Sequence, residues 1–296
     1  MADMTGRGVV ISGGSRGIGL AIGKACAAAG AHVAILAKTV EPHPKLPGTI
    51  HTAAAEIEAA GRAHGAKALP ILCDIRDETA TAEAVAQAAD VFGRIDAVVN
   101  NASAISLTPT LGTDVKRFDL MTGVNSRGTF VLTQACLPHL LKSDRGHILT
   151  LSPPLDLDPK WFAGHAAYSL AKYGMSLLTH AWAAEFAGKV AANCLWPRTA
   201  IDTAAVRNVL GGDAMAARCR TDAVMADAAL AILRRSVDFS GWFVLDDLML
   251  AAEGVTDFEA YAVTPGAELF IDFFVPADAP QPEAAGGVVG WRAPSL

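Results

Sequence analysis

The chain has 296 residues, 52% of them hydrophobic, and a formal charge of −6, with a mean hydropathy of +0.32. That length supports one large core or two small ones, and the acidic balance excludes the basic stripe that a nucleic-acid partner needs. Charges or glycines interrupt every apolar stretch well short of a ~18-residue membrane span, and Met1–Arg7 lacks the basic and apolar regions of a secretory signal, so a cytoplasmic protein is expected.

From Gly8 to about Gly241, short apolar runs alternate with alanine-rich amphipathic segments. The run Val9–Ser12 leads through a glycine turn into a helical pattern over Ile18–Ala29. His32–Ala37 is followed by a helix over Thr49–His64, Ala68–Cys73 by one over Thr79–Phe92, and Ala97–Asn100 by a long one over Val115–Leu141. His147–Ser152 precedes a helix over Gly164–Ala187, and Ala191–Trp196 and Trp242–Leu245 complete the series. Strands that are continuously apolar are buried on both faces. With helices between them they predict a parallel sheet built from right-handed crossovers: one α/β domain over residues 1–275 with seven strands. Residues 276–296 are rich in Pro, Ala and Gly without periodicity, and are expected to be disordered or draped over a partner subunit. The terminal Pro294-Ser295-Leu296 is not a peroxisomal signal.

Five scattered cysteines (Cys26, Cys73, Cys136, Cys194, Cys219) form no C-x-x-C pair and read as buried thiols in a reducing compartment. The histidines show no ligand spacing, so no metal site is expected.

The first strand runs into Gly13-Gly14-Ser15-Arg16-Gly17-Ile18-Gly19. Glycine suits this turn because a Cβ would hold a pyrophosphate off the backbone N–H groups, and the helix beyond offers its positive end to the anion. An NAD site places an acidic residue at the end of the second strand, on the ribose hydroxyls. Here Ala37-Lys38-Thr39 stands instead. Lys38 would attract a 2′-phosphate and Arg16 adds a second cation, so NADP(H) is favoured over NAD(H). The segment Val40–Gly48, with His43 and Lys45, is placed to fold over the adenosine end.

Tyr168 and Lys172 stand at i and i+4, on one face of a helix. A tyrosine with its ordinary pKa of about 10 is a poor acid–base group at neutral pH. A neighbouring ammonium favours the phenolate and is expected to bring that pKa down.

The G-x-x-x-G-x-G turn, Asn100-Asn101-Ala102-Ser103 at the end of the fourth strand and Tyr168-x-x-x-Lys172 together resemble the short-chain dehydrogenase/reductase family. The resemblance implies a Rossmann-type doubly wound sheet and hydride transfer between a nicotinamide cofactor and a carbonyl or alcohol. It assigns cofactor contacts to Ser12 (where the family usually has Thr), Gly13, Ser15, Arg16, Gly17, Ile18, Gly19 and Lys38. It further assigns Asp74 with Ile75 to the adenine, Asn101, Ala102 and Ser103 to the cofactor crevice, and Lys172 with Tyr168 to the nicotinamide ribose. Pro197 and Thr199 would close over the carboxamide. Asn125 matches a helix asparagine that anchors a water in a proton relay from Lys172. The family's catalytic serine is the weak point: Ser152 aligns with the first serine of the strand end and Pro153 with the catalytic one. Either Ser152 reaches the substrate through an altered loop, or Tyr168 and water hold the oxyanion alone, and loss of one such donor costs ~10²–10³ in rate.

Four stretches, residues 37–46, 100–107, 152–155 and 196–201, resemble more specifically the hydroxysteroid dehydrogenase-like protein 2 group and its bacterial relatives, over roughly residues 8–275. The same Ser-Pro-Pro occurs in that group. Its animal branch carries a sterol-carrier domain after this module; the chain stops before one, and lipid carriage is not expected. Bacterial relatives are described as citronellol/citronellal-type dehydrogenases. The loops after the fifth and sixth strands carry Pro153, Pro154, Leu155, Trp161 and Phe162, then Ile201, Val206, Val209 and Leu210. This set suits a small apolar aldehyde, ketone or alcohol, or packing of these residues on one another. A dinucleotide-binding sensor or scaffold with little catalysis is the alternative, and an enoyl reductase or epimerase a third. By the family's habit, the helices over 115–141 and 164–187 would form a homo-oligomer, dimer or tetramer.

Overall fold

A computed structural model of the chain describes residues 3–42 and 46–292. His43, Lys45 and Pro294-Ser295-Leu296 lie outside the described residues, as do the side chains of Val209 and Leu210. The strands are β1 (Gly8–Ser12), β2 (His32–Ala37), β3 (Ala68–Leu72), β4 (Ala97–Asn100), β5 (Gly146–Leu151), β6 (Val190–Trp196), β7 (Trp242–Leu245) and β8 (Gly290–Arg292). They form one sheet in the order β3-β2-β1-β4-β5-β6-β7-β8. The seven expected strands are parallel, and β8 joins antiparallel to β7.

The sheet therefore has eight strands where the sequence predicts seven, and the eighth comes from the stretch read as a tail. Three residues are too few for a hydrophobic pattern to show. Gly290 makes the pairing possible: a Cβ there would lie 2.0 Å from the Phe243 carbonyl.

The helices are α1 (Gly17–Ala28), α2 (Ile50–Ala60), α3 (Glu78–Phe92), α4 (Val115–Met121), α5 (Gly128–Leu140), α6 (Ala166–Glu185), α7 (Gly212–Ala216), α8 (Ala223–Leu233) and α9 (Asp246–Ala252). Alternate strand residues enter two apolar layers. Val9, Ile11, Val33 and Ile35 pack with α1, α2 and α8; Val10, Ala34, Leu36 and Val98 pack with α3, α5 and α6. Burial on both faces is why the strands read as unbroken apolar runs. Helix α8 is apolar nearly all round, with Val224, Met225, Ala228, Ala229, Ile232 and Leu233 buried, so it shows little of the striped pattern of a surface helix. The helix predicted over Val115–Leu141 is interrupted: a π-turn over Thr122–Arg127 separates α4 from α5. No helix among the described residues is long and apolar enough to cross a membrane.

Strand order reverses at β1, whose neighbours are β2 and β4. In such sheets the crevice outside the carboxyl ends at that switch point is where ligands bind.

Candidate active site

That crevice holds a cleft of about 900 Å³. One wall is the turn from β1 into α1. Gly13 and Gly17 have φ of 70° and 53°, the left-handed region that glycine enters without a steric penalty. Gly19 is required for space: a Cβ there would stand 2.5 Å from Asn101 Nδ2 and 2.6 Å from the Gly13 carbonyl oxygen. Arg16 precedes α1 in extended conformation and supplies no side-chain cap. The first N–H groups of α1 are therefore left open, the arrangement that receives a phosphate. Gly19→Ala is expected to lower stability by about 1–3 kcal/mol and to weaken dinucleotide binding roughly tenfold, read by thermal melting and fluorescence titration. A folded variant with unchanged binding would detach this turn from the site.

Gly13, Ser15, Arg16, Gly17, Ile18, Asn101, Ala102 and Ser103 line the cleft, whereas Ser12 and Gly19 shape it without lining it. Ser12 Oγ accepts the N–H groups of Asn101 and Ala102 at 3.1 Å each, and Asn101 Nδ2 donates to the carbonyls of Ser12 and Gly13 at 3.0 and 3.1 Å. These bonds brace the end of β1 against the end of β4.

Lys38, Asp74 and Ile75 also line the cleft. Asp74 pairs with Arg76 at 2.6 Å and with Lys38 at 3.2 Å. These contacts, with Arg76 the larger influence, hold its carboxyl well below the usual range. Arg16 donates through Nε and Nη2 to the carbonyls of Pro47 and Gly48 at 2.9 and 3.2 Å, and Leu46 and Pro47 join the lining. Asp202, Thr203 and Arg207 line it too. Arg207 forks onto Asp202 with two bonds of 2.7 Å. Sequence reasoning missed this polar pair because it treated the segment after β6 as apolar. In fact Ile201 enters the main core, and Val206 packs with Ala200 and Cys219.

Tyr168 and Lys172 lie one turn apart on α6, both buried. Lys172 Nζ donates to the Leu151 carbonyl at 2.7 Å and lies 5.1 Å from the centre of the Trp196 ring. Burial pushes its pKa down to about 8. Among the described residues the Tyr168 hydroxyl has no hydrogen-bond partner. Burial, and then the charge of Asp272, push that hydroxyl above the usual tyrosine range. The lowering expected from Lys172 is not what this arrangement gives, because desolvation of the phenolate outweighs the nearby ammonium.

The π-turn carries Asn125, fully buried, whose Oδ1 accepts the Ala104 N–H at 2.7 Å while Nδ2 donates to the Ala104 carbonyl at 3.1 Å. Ser126 Oγ donates to the Ala171 carbonyl at 2.9 Å. Gly174 permits that closeness, since a Cβ there would stand 2.3 Å from Ser126 Oγ. Ser152 is turned to β6, its Oγ donating to Cys194 Sγ at 3.2 Å. Pro197 and Thr199 are buried after β6. Thr199 Oγ1 has no partner among the described residues, an orphaned polar atom that a nicotinamide carboxamide would satisfy. The open helix end, the glycine turn and this atom fit a nicotinamide dinucleotide.

The largest omission of sequence reasoning is the segment Phe270-Ile271-Asp272-Phe273-Phe274. It runs antiparallel to the chain after β6, with Ala200 N–H donating to the Phe270 carbonyl and Asp272 N–H to the Arg198 carbonyl, each at 2.9 Å. Phe274 is fully buried, and its φ of 66° is rare for a residue bearing a side chain. Its ring centre lies 6.2 Å from that of Tyr168 and 5.8 Å from those of Trp161 and Trp196. Leu155, Trp161 and Phe162, from the apolar set expected to meet substrate, pack into the same cluster. The only advance signal was an apolar run broken by one acid.

Residues 7–211 match the short chain dehydrogenase family. Hydroxysteroid dehydrogenase-like protein 2 of Danio rerio is 54% identical over 272 residues, which cover 92% of this chain and 64% of that protein. The chain thus spans a little under two-thirds of the length of this relative. The crystal structure of a protein described as a dehydrogenase from Xanthomonas campestris shares 51% identity with a TM-score of 0.87, covering 93% of this chain and 99% of the other. A metagenomic short-chain oxidoreductase in complex with NADP shares 26% identity with a TM-score of 0.65, covering 80% and 94%. A glycine turn at the switch point, a tyrosine and lysine one helical turn apart and these likenesses agree: the chain belongs to the short-chain dehydrogenase/reductase family.

Proposed function

We propose that the protein interconverts an apolar aldehyde or ketone and its alcohol with NADP(H), and that Tyr168 moves the proton. The observation that carries this reading is the unpartnered Tyr168 hydroxyl, one turn from Lys172 and enclosed by Trp161, Tyr173, Trp196 and Phe274. A bound nicotinamide dinucleotide supplies or accepts the hydride. The α1 end and the glycine turn hold its phosphates, and Thr199 orients its carboxamide. Lys38, 58% exposed beside the cleft, and Arg16 favour a 2′-phosphate; the likeness to a protein in complex with NADP supports the same choice. Tyr168 gives its proton to the carbonyl oxygen in reduction and takes it back in oxidation. Lys172 replenishes it, and Asn125 anchors the π-turn beside α6 where we place the water-borne route to solvent. Ser152 faces Cys194 and Pro153 has no hydroxyl, so Tyr168 is the donor to the substrate oxygen.

The aromatic enclosure excludes water and suits an uncharged, apolar substrate. Exposed Val115, Phe118, Leu170 and Leu177 on α4 and α6 support assembly as a dimer or tetramer, and we place the protein in the cytoplasm. Phe274 lying over Tyr168 favours, as a second reading, a dinucleotide-binding sensor. Titration with NADPH and NADH, followed by a panel of apolar aldehydes and ketones, separates the two. Turnover that disappears in Tyr168→Phe supports the oxidoreductase; tight binding with no turnover on any carbonyl supports the sensor. Equal affinity for the two cofactors, or a preference unchanged in Lys38→Ala, would remove the role given to Lys38.

A further inference from the structure

The proposed chemistry uses two ionisable groups, yet a third stands with them. Asp272 reaches the site on the segment that crosses over Tyr168. Its backbone is held by the Arg198 carbonyl at 2.9 Å, and the Phe273 carbonyl beside it accepts the Trp196 indole N–H at 2.7 Å. The Trp196 ring also carries Lys172 on its face. Asp272 Oδ1 accepts the N–H of Phe273 at 2.7 Å, its one hydrogen bond among the described residues, and the carboxylate forms no ion pair there.

A carboxylate kept for folding would be expected to meet a cation directly. The nearest guanidinium along the chain, Arg198, is committed elsewhere: to Asp247 at 2.5 Å and to the Pro280 carbonyl at 2.7 Å. What Asp272 does meet, through space, is the pair on α6.

Resting on the oxidoreductase reading, we infer that Asp272 is a positioning residue whose charge sets how the Tyr168–Lys172 pair holds its proton. The direction follows from Coulomb's law. An ionised Asp272 stabilises the Lys172 ammonium and opposes the Tyr168 phenolate; a protonated Asp272 does neither. The shifts agree in sign, since Asp272 raises both Tyr168 and Lys172, while burial pushes Asp272 itself up to about 7. Its carboxyl thus changes charge near neutral pH, where the reaction would run, and makes the tyrosine a better proton donor when it is ionised. Other ionisable or charged groups on the elements around it are His165 on α6, Cys194 on β6, Arg198 after it, and Arg218 and Cys219 before α8.

The test is the pH response of Tyr168 itself. The chain has three tyrosines, Tyr168, Tyr173 and Tyr261, so ¹³Cζ-tyrosine NMR of the full chain resolves Tyr168 by its loss in Tyr168→Phe. The expected result is a Tyr168 inflection near pH 7 that vanishes in Asp272→Asn and survives, displaced, in Asp272→Glu. In parallel, the acid limb of alcohol oxidation should move to lower pH by about one unit in Asp272→Asn. An inflection that persists in Asp272→Asn belongs to one of the other groups and overturns the inference. Should Asp272→Asn fail to fold, Asp272→Glu decides: without an inflection the inference falls. Turnover that survives Tyr168→Phe would instead sink the oxidoreductase reading, while the NMR response still judges Asp272.

Discussion

Lys172→Met is expected to cost about 10²–10⁴ in turnover while making the protein more resistant to heat at pH 7. The first half follows from the loss of the cation that replenishes Tyr168, since positioned acid–base groups contribute on that order. The second half follows from burial. Lys172 is 4% exposed and its pKa in the folded protein, about 8, lies below the ordinary 10.5. Because the folded pKa is the lower one, the unfolded chain binds the proton more tightly, and below pH 8 the native state bears the whole cost. That cost is about 3 kcal/mol. It is relieved as pH rises from 8 to 10.5.

Methionine removes the cost but leaves the Leu151 carbonyl without its 2.7 Å donor, a loss of about 1–2 kcal/mol. The net is a gain of roughly 1–2 kcal/mol, or a few degrees in Tm for a chain of this size. Thermal melts of both proteins from pH 7 to pH 10 check this, and the advantage of Lys172→Met should shrink toward pH 10. A variant that melts lower than the parent at pH 7 would mean that Lys172 holds the fold together, and that its burial is not a cost borne for the site.

What could be read in the sequence is what neighbouring residues decide. The β1 turn into α1 is local, so Gly13, Gly17 and Gly19 stand out by spacing. The Tyr168–Lys172 pair needs only the pitch of a helix. Sheet burial on both faces makes β1 to β7 legible one at a time. What stayed hidden depends on contacts between distant segments. The direction of the Ser152 hydroxyl is decided by Cys194 on β6. The burial that pushes Tyr168 the opposite way from the Lys172 argument is supplied in part by Phe274, brought back from the far end of the chain. The π-turn at Asn125 answers to a pair of bonds to Ala104 and to the packing of Ser126 on α6, none of which periodicity can show. Fold and cofactor crevice were therefore readable, and the enclosure around the reacting tyrosine was not.

Asp247→Ala should be among the most destabilising single changes in the chain, by about 3–5 kcal/mol. Asp247 begins the turn from β7 into α9 and is wholly buried. Arg198 donates to it at 2.5 Å and Arg220 at 3.4 Å, and both arginines are themselves buried. Removing the carboxylate leaves two guanidinium groups in the interior with their charge unmatched, which is costlier than never having buried the cluster. Asp246 softens the loss. Burial and the charge of Asp247 hold its pKa up to about 7, so without that neighbour it ionises more readily and offers Arg220 a partial substitute. The expected drop in Tm is about 6–15 °C, with the larger fall at acid pH, where Asp246 is protonated.

The damage should reach the active site by a short path. The backbone of Arg198 gives its N–H to Asp246 and its carbonyl to the N–H of Asp272, and Pro197 and Thr199 flank it. Loosening Arg198 therefore loosens both the carboxamide slot and the segment that covers Tyr168. Hydrogen exchange should quicken at Ala200 and Asp272 before it does in β1 or β4. The double variant Asp247→Ala/Arg220→Met, with one unmatched cation fewer, should recover part of the stability, and a double-mutant cycle measures how much. If Asp247→Ala alone costs under about 1 kcal/mol in chemical denaturation, the charges are not held in the interior as described, and Arg198 does not tie the end of β6 to the closing segment.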